Sequence, residues 1–282
     1  MNEVPYDFSS HDHPILYHYT SNSGASGIVS NDSFWLSDFC AMNDPSEFSF
    51  AREQLESLML SGEIELGLVP RLAIATAIRG LRENTGHMIG SLTTRRDDLT
   101  QWRLYGNNGT GCVLGLDAAF LEHDAGVAIR TVQYEQTAVR RSLLAGLSVV
   151  QDSSVEDPYN FEQLMEFAQH LGAELFTIKH PAYADEREVR IMRMLIRGAD
   201  TMVDPGGNGS GGAAVPPLPV LEREMPAGRI PYISLPLVRE DGSSAIASIG
   251  FGPRATDEDF NEHAAFCESR GIEVWRSQLP YR

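Results

Sequence analysis

The sequence predicts a mixed α+β fold in a single domain, because helical and strand-like segments follow one another without a regular β-α-β order. Segments with strand character lie at residues 15–20, 34–37, 87–94, 109–117, 128–135, 187–195, 229–237, 245–253 and 272–277. Apolar residues recur at helical spacing over 47–60, 68–84, 136–150 and 160–178, and two further helices are expected at 97–106 and 256–271. This mixture, with no internal repeat, favours the α+β class over a doubly wound sheet.

The composition is that of a globular protein with a substantial apolar core. The chain has 282 residues, of which 42% are hydrophobic and 22% charged, and its formal net charge is −17. Such an acidic balance disfavours non-specific binding to nucleic acid or to an anionic membrane. No apolar stretch is long enough to span a bilayer, and the first residues do not resemble a signal peptide. Three widely spaced cysteines without a CxxC pair indicate reduced thiols and a cytoplasmic protein.

The chain divides into a flexible N-terminal tail, residues 1–13, and one domain, residues 14–282. Residues 21–33 are rich in Ser, Asn and Gly and predict a turn-rich connection before the strand-like FWLS. A Gly- and Pro-rich segment at about 203–218 predicts a mobile surface loop.

The first candidate binding segment is "ILYHYTS", residues 15–21. In a strand, His18 and Thr20 share one face and Tyr17 and Tyr19 the other. A His and a Thr on one face can hydrogen-bond a single ligand such as a ribose. The alternative is a half-buried strand in which the histidine forms hydrogen bonds within the protein. For this segment taken by itself, that alternative is favoured.

The second candidate segment runs from Ser91 to Asp117, where hydroxyl groups end a strand and Arg95 and Arg96 follow. Trp102 and Tyr105 are three residues apart, so a helix places them close together on its surface. These aromatic rings could stack on a planar ligand, and either arginine could bind a phosphate. The alternative is that the aromatic residues are core anchors, which is favoured for Trp102, while the arginines are solvated.

The third candidate segment is "YADEREVRIM", in which Glu186 and Glu188 would project to one face of a strand. Paired carboxylates can polarise a ribose hydroxyl, or raise each other's pKa so that one acts as a base. The alternative, which is favoured for this segment taken by itself, pairs them with Lys179, Arg187 or Arg190 in a surface ladder of charges.

Other catalytic signatures are missing from the sequence. There is no HExxH or Cys/His pattern for a metal, no GxSxG, no P-loop, and no GxGxxG after a strand. We therefore expect no metal site.

In combination, the three segments resemble the DUF2971 family of bacterial proteins of unknown function. The resemblance covers most of the chain from about residue 14 onwards. The matching blocks are LYHYTS…GI (16–28), FWLSDFCAMNDPSEF (34–48), SLTTRRDDLTQWRLYGNNGTGCVLGLD (91–117), KHPAYADEREVRI (179–191) and the tail SIGFGPRATDEDF…W. The Asn-Asp-Pro turn and the Trp-x-x-Tyr-Gly block are its most specific parts.

That family in turn is similar to a distant branch of the ADP-ribosyltransferase fold, which implies a split, mainly antiparallel β core flanked by helices. In that fold, a first strand holds the adenosine ribose of NAD through His or Arg and a neighbouring hydroxyl. A second element supplies a Tyr or Ser beside nicotinamide, and a late strand presents a Glu to the nicotinamide ribose. The resemblance implies Glu188 or Glu186 as the catalytic carboxylate, His18 and Thr20 as contacts to the adenosine ribose, and Ser91 or Tyr105 beside nicotinamide. Further candidate NAD-binding residues in the same segments are Tyr19, Arg95 and Trp102.

The function implied by the resemblance is ADP-ribose transfer from NAD to a macromolecule, or NAD hydrolysis, in a bacterial toxin or phage-defence setting. NAD would be the substrate, the acceptor a protein or nucleic acid, and a regulatory protein a possible partner. The alternative is a non-catalytic module on the same fold that binds a nucleotide or a protein.

Overall fold

The computed structural model of the chain describes residues 8–39, 46–157, 159–199, 201–208, 214–225 and 228–281. It confirms the α+β class, with a mostly antiparallel open sheet flanked by helices. Within these ranges, no helix is both long and apolar enough to cross a membrane.

Helices and strands alternate irregularly along the chain. The helices are α1 Asn22–Asn31, α2 Ser46–Ser61, α3 Leu68–Glu83, α4 Leu99–Leu104, α5 Ala118–His123, α6 Gln136–Glu156, α7 Phe161–Glu174 and α8 Asp257–Ser269. The strands are β1 Ile15–Thr20, β2 Ser33–Asp38, β3 Thr85–Thr93, β4 Cys112–Asp117, β5 Ala128–Thr131, β6 Glu188–Arg197, β7 Met202–Val203, β8 Gly207–Asn208, β9 Ala214–Val215, β10 Val220–Met225, β11 Gly228–Pro236, β12 Ile246–Phe251 and β13 Glu273–Arg276.

Strand β3 is the centre of the sheet. Along one edge it pairs with β6 over its whole length, from Thr85 opposite Ile196 to Thr93 opposite Glu188. Along its other edge it pairs first with β2, at Met88 and Ile89, and then with β1, at Thr93. We call residues 90–92, between those two partners, the fork. Because β1 and β2 diverge there, the sheet splits into two arms.

Each arm continues outward from the fork. Beyond β1, the order is β4, β12 and β13, with β12 and β13 parallel and the others antiparallel. Beyond β2, the order is β11 and then β10, both antiparallel. The apolar face of the sheet forms the main core, and α2, α3, α6 and α7 enclose a second apolar cluster.

Helix α1 corrects one sequence-based expectation, because residues 22–31 were predicted as a turn-rich connection. Ser21 caps the helix by accepting a hydrogen bond from the Gly24 N–H. Ala25 and Val29, four residues apart on one face, are buried. Local composition favours turns here, but burial of that narrow apolar face stabilises the helix.

The predicted tail and loop contribute contacts to the fold. Phe8, within the predicted tail 1–13, is buried in the main core. In the predicted loop 203–218, Asp204 is buried and forms an ion pair with Arg193 at 2.9 Å. The short strands β8 and β9 pair with each other in the same segment. Flexibility of the tail and of the loop stays a prediction.

Candidate functional site

A cavity of about 840 Å³ opens at the fork. Its walls carry residues from β1, β2, β3 and β10, together with side chains that precede and begin β6. His18, Thr20, Ser91, Glu186 and Glu188 all line it, so the fold brings residues of three distant segments to one place.

A chain of hydrogen bonds joins three of those residues across β1, β3 and β6. His18 Nδ1 lies 3.1 Å from the Ser91 carbonyl oxygen. The Ser91 hydroxyl donates to Glu188 Oε1 at 2.7 Å. The three side chains lie on three adjacent strands because β3 pairs with β1 on one edge and with β6 on the other.

The contact to Ser91 determines the tautomer of His18. A carbonyl oxygen can only accept a hydrogen bond, so Nδ1 must carry the proton. Burial lowers the pKa of His18, which keeps the ring neutral near pH 7. Nε2 is therefore a hydrogen-bond acceptor, and its ring lies in the cavity wall with its edge against Phe34.

The acidic end of the cavity is a buried cluster of three carboxylates and two cations. The Lys179 ammonium lies 2.6 Å from Glu186, 3.0 Å from Glu47 and 3.3 Å from Glu188. Arg190 binds Glu47 at 2.7 Å and Glu188 at 2.8 Å. With all five groups ionised, the cluster carries one net negative charge.

Arg190 is the structural centre of this cluster. It donates to both oxygens of Glu188, from Nε at 2.8 Å and from Nη2 at 3.1 Å. Its Nη1 donates to the Phe176 carbonyl at 2.6 Å. Such a bidentate pair fixes the plane of the Glu188 carboxylate as well as its charge.

The pKa of Glu188 is lowered, whereas the sequence-based hypothesis had the two glutamates raising each other's pKa. Burial pushes the pKa of Glu188 upward, but Arg190 and then Lys179 and Ser91 outweigh it and hold the value at about 2. The carboxylates likewise raise the pKa of Lys179 and of Arg190 against the opposing effect of burial. Glu188 is thus ionised near pH 7 and is too weak a base to take up a proton there.

Glu186 and Glu188 are not consecutive same-face residues of one strand, as the sequence had suggested. Glu186 ends a 3₁₀ turn, Pro181–Glu186, and Glu188 begins β6. Arg187 between them is left-handed, with φ 47°. With the backbone turned at Arg187, both carboxylates contact Lys179. The glutamates and their cations therefore form a buried cluster rather than a surface ladder.

Trp102 and Tyr105 have different surroundings, although Trp102 lies in α4 and Tyr105 directly follows its last residue. Trp102 is fully buried, packs edge-on against Tyr19, and donates to Asp97 at 2.6 Å. Tyr105 lines the cavity, and its hydroxyl donates to Glu186 Oε1 at 2.7 Å. The structure therefore places Trp102 behind the wall as a core anchor and Tyr105 in the wall.

Of the remaining predicted residues, some line the cavity and others do not. Tyr19 is buried and donates to the Arg95 carbonyl at 3.0 Å, although Tyr19 and Thr20 are both among the residues that line the cavity. Arg95 is exposed and is not part of the cavity wall. Arg96 lies over the Trp275 ring at 4.8 Å and binds Glu273 at 2.7 Å. Neither arginine is placed to bind a ligand in this cavity.

The low pKa of Glu188 predicts a stability change in acid. The folded-state value of about 2 is below the ordinary value of 4.5, so the unfolded chain binds the proton first as pH falls. This contribution to stability is complete above pH 4.5 and is lost as pH falls towards 2. We expect urea-unfolding midpoints of Glu188→Gln to vary less steeply with pH in that window than those of the natural chain. The exposed control Glu53→Gln should keep the full slope, and equal slopes for all three proteins would contradict the assignment.

A comparison with protein families finds one match: residues 101–191 fit the family model described as "Protein of unknown function (DUF2971)". Over that stretch, which is about a third of the chain, the sequence is similar to the DUF2971 family. No curated protein and no solved structure matches the chain.

The DUF2971 match covers one wall of the site. Tyr105, Lys179, Glu186, Glu188 and Arg190 lie inside the matched stretch. His18, Ser91 and Glu47 come from before it and Arg223 from after it, and all four line the same cavity. The complete site therefore requires the whole fold around the DUF2971 segment.

Sequence reasoning missed the roles of Glu47 and Arg223, and it considered Lys179 and Arg190 only as partners of the glutamates in an alternative surface ladder. Glu47 meets Arg190 across 143 residues of chain, and no local pattern reports such a contact. One available signal was the placement of Glu47 inside the Asn-Asp-Pro-Ser-Glu block that carries the family resemblance.

Proposed function

We propose that the cavity binds NAD and that the protein is an ADP-ribosyltransferase-like enzyme, which transfers ADP-ribose to a macromolecule or hydrolyses NAD. The observation that carries the proposal is the His18–Ser91–Glu188 chain of hydrogen bonds in the wall of one cavity. His, hydroxyl and Glu are the residue types that the resemblance predicted for those three strands.

The electrostatics suit cleavage of the nicotinamide–ribose bond. That bond breaks through an oxocarbenium-like state, in which positive charge develops on the ribose. An ionised carboxylate held rigidly beside the ribose stabilises this charge without having to reorient. Glu188 has these properties, because Arg190 and Ser91 fix its plane and its pKa is about 2.

The other wall residues would orient the substrate. His18 Nε2 is available to accept a hydrogen bond from a ribose hydroxyl, and Thr20 lies two residues further along the same strand. The Tyr105 ring borders the acidic end, where a planar nicotinamide would pack against it. Glu186, tied to Tyr105 and Lys179, would position this aromatic wall.

A non-catalytic nucleotide-binding module is the second candidate, and one observation favours it. Both oxygens of Glu188 already accept hydrogen bonds, from Ser91, Arg190 and Lys179. A carboxylate so fully engaged can be a structural part of the cluster, in which case the cavity binds a nucleotide without cleaving it.

The proposed setting is a bacterial cytoplasm, in a toxin or phage-defence system, with a protein or nucleic acid as acceptor and a regulatory protein as a possible partner. Cys112 and Cys267 are buried free thiols, which is consistent with a reducing compartment.

The test is to incubate the purified chain with NAD, with and without cell lysate as acceptor, and to measure nicotinamide release and melting temperature. A ligand at 100 times its Kd stabilises the folded state by about 2.7 kcal/mol, so we expect a rise of about 5 °C or more. Nicotinamide release supports the enzyme. A melting shift without release supports the binding module. Neither response, with or without lysate, would overturn both proposals.

A further inference from the structure

A further cation, Arg223 on β10, lines the cavity at the end away from the Glu188 cluster. Its side chain crosses β11, and its Nη2 donates to Ser37 Oγ on β2 at 3.1 Å. Strand β2 is separated from β6 by β3, and Ser37 lies opposite Ile89, which lies opposite Met192 on β6. The guanidinium is therefore bound two strand spacings, roughly 10 Å, across the sheet from β6, level with Met192 rather than with Glu188.

Arg223 differs from the other cations that line the cavity. Lys179 forms ion pairs with three carboxylates and Arg190 with two. By contrast, none of the described residues forms an ion pair with Arg223, whose described partner is the Ser37 hydroxyl. Its Nε is buried and has no hydrogen-bond partner among the described residues. A buried donor without an acceptor is destabilising, and an arginine donor more so than a neutral one. An anion in the cavity would give the guanidinium a counter-charge, which none of the described residues provides.

The neighbours of Arg223 prepare it for such an anion. The guanidinium lies over the Trp35 ring at 5.8 Å, and Trp35 packs on Tyr232 with ring centroids 4.5 Å apart. The Ser37 hydroxyl accepts from Arg223, so its own proton remains free to be donated. One charged donor and one hydroxyl donor therefore converge beside the cavity.

The geometry points to a phosphate-binding subsite formed by Arg223 and Ser37, which would hold the diphosphate group of the nucleotide in this cavity. An arginine with a free edge and an adjacent hydroxyl is a suitable donor set for a phosphate oxygen. The net negative charge of the Glu47–Glu186–Glu188 cluster disfavours a phosphate at the other end. The two ends of the cavity thus set the direction of the ligand, with its phosphates at β10 and its reacting ribose at Glu188.

Arg223 belongs to neither the matched DUF2971 stretch nor the segments that carried the family resemblance. The inference rests on the proposed function in that the ligand is a nucleotide. The subsite itself, however, predicts binding of a phosphate compound whether or not NAD is cleaved.

The test is to compare binding of ADP-ribose, inorganic diphosphate and adenosine to the natural chain and to Arg223→Gln by calorimetry. We expect the variant to bind ADP-ribose at least about 10-fold more weakly and to lose diphosphate binding. Adding salt should weaken ADP-ribose binding to the natural chain more than to the variant. The matched control is Arg229→Gln, on the same β10–β11 hairpin, where Arg229 is exposed and faces Glu222 and Glu224.

The outcomes separate this subsite from the proposed activity. Loss of ADP-ribose and diphosphate binding in Arg223→Gln, with the control unaffected, supports the subsite even if NAD is not cleaved. Equal ADP-ribose affinity in the natural chain and Arg223→Gln overturns the subsite and leaves nicotinamide release untouched. Failure of the natural chain to bind either phosphate compound also overturns it.

Discussion

Replacing Glu188 by glutamine is expected to lower nicotinamide release from NAD by at least about 100-fold, the scale of effect when a preorganised electrostatic group is removed from a reacting centre. Glutamine is nearly isosteric with glutamate, so the change removes charge with little change of shape. Arg190 retains Glu47, at 2.7 Å, as a counter-ion, which favours folding of the variant. Initial rates of nicotinamide release, at saturating NAD, give the measurement.

Two further variants make this result decisive. Ser91→Ala removes the hydroxyl that donates to Glu188 at 2.7 Å but leaves every charge in place, and a loss of about 10-fold is expected. Glu53→Gln makes the same chemical change at an exposed position of α2 and should be silent. If Glu188→Gln folds, as judged by its melting curve, and releases nicotinamide at the natural rate, Glu188 does not contact the reacting ribose.

Replacing Arg190 by leucine is expected to lower the free energy of unfolding by about 3–5 kcal/mol, the cost of leaving a buried charge without its partner. Arg190 is 1% exposed and holds Glu188 and Glu47 together. Without it, three carboxylates share the Lys179 ammonium. Urea denaturation followed by circular dichroism measures the change.

A double variant identifies the cause of that loss. Arg190→Leu with Glu188→Leu removes one positive and one negative charge together, and replacing a buried pair by apolar residues is often close to neutral. Most of the lost stability should therefore return. The control is Arg197→Leu, an exposed arginine on the same strand, with a change within about 0.5 kcal/mol. A loss below 1 kcal/mol for Arg190→Leu would mean that water replaces the guanidinium at little cost.

Elements with strong local signals were predictable from the sequence. Helix α8 lies within the predicted segment 256–271, and Thr256 and Asp259 form a reciprocal capping box at its start. The observed bounds of strand β6 and helix α3 agree closely with the predicted segments 187–195 and 68–84. Helix α1 was not predictable in this way, because its Ser, Asn and Gly content favours turns and only tertiary burial of Ala25 and Val29 opposes that preference.

Some residues of the candidate site were predictable from the sequence, but their arrangement was not. His18 and Glu188 could be selected because the resemblance implies His or Arg on a first strand and Glu on a late strand. For the second element it implies Tyr or Ser, which left Ser91 and Tyr105 as alternatives. Which aromatic residue faces the cavity depends on the rotation of α4, and the sequence gives no measure of that rotation. The lowered pKa of Glu188 depends on Arg190 and Lys179, which the sequence also allowed as surface ions.

The fork gives the cavity one stiff direction and one compliant direction. Nine residue pairs join β3 to β6, whereas two pairs join β3 to β2 and one joins it to β1. Across the gap, the ring of His18 on β1 meets the ring of Phe34 on β2 edge-on, with centroids 4.7 Å apart. One ring contact restrains two strands less than a ladder of backbone hydrogen bonds does. The β3–β6 ladder therefore fixes the spacing of Ser91 and Glu188, whereas the β2–β11–β10 arm is held mainly by side chains such as Phe34 and Leu36 that are buried in the main core. We therefore expect any adjustment of the cavity to the length of its ligand to occur at the Arg223 end rather than at the carboxylate.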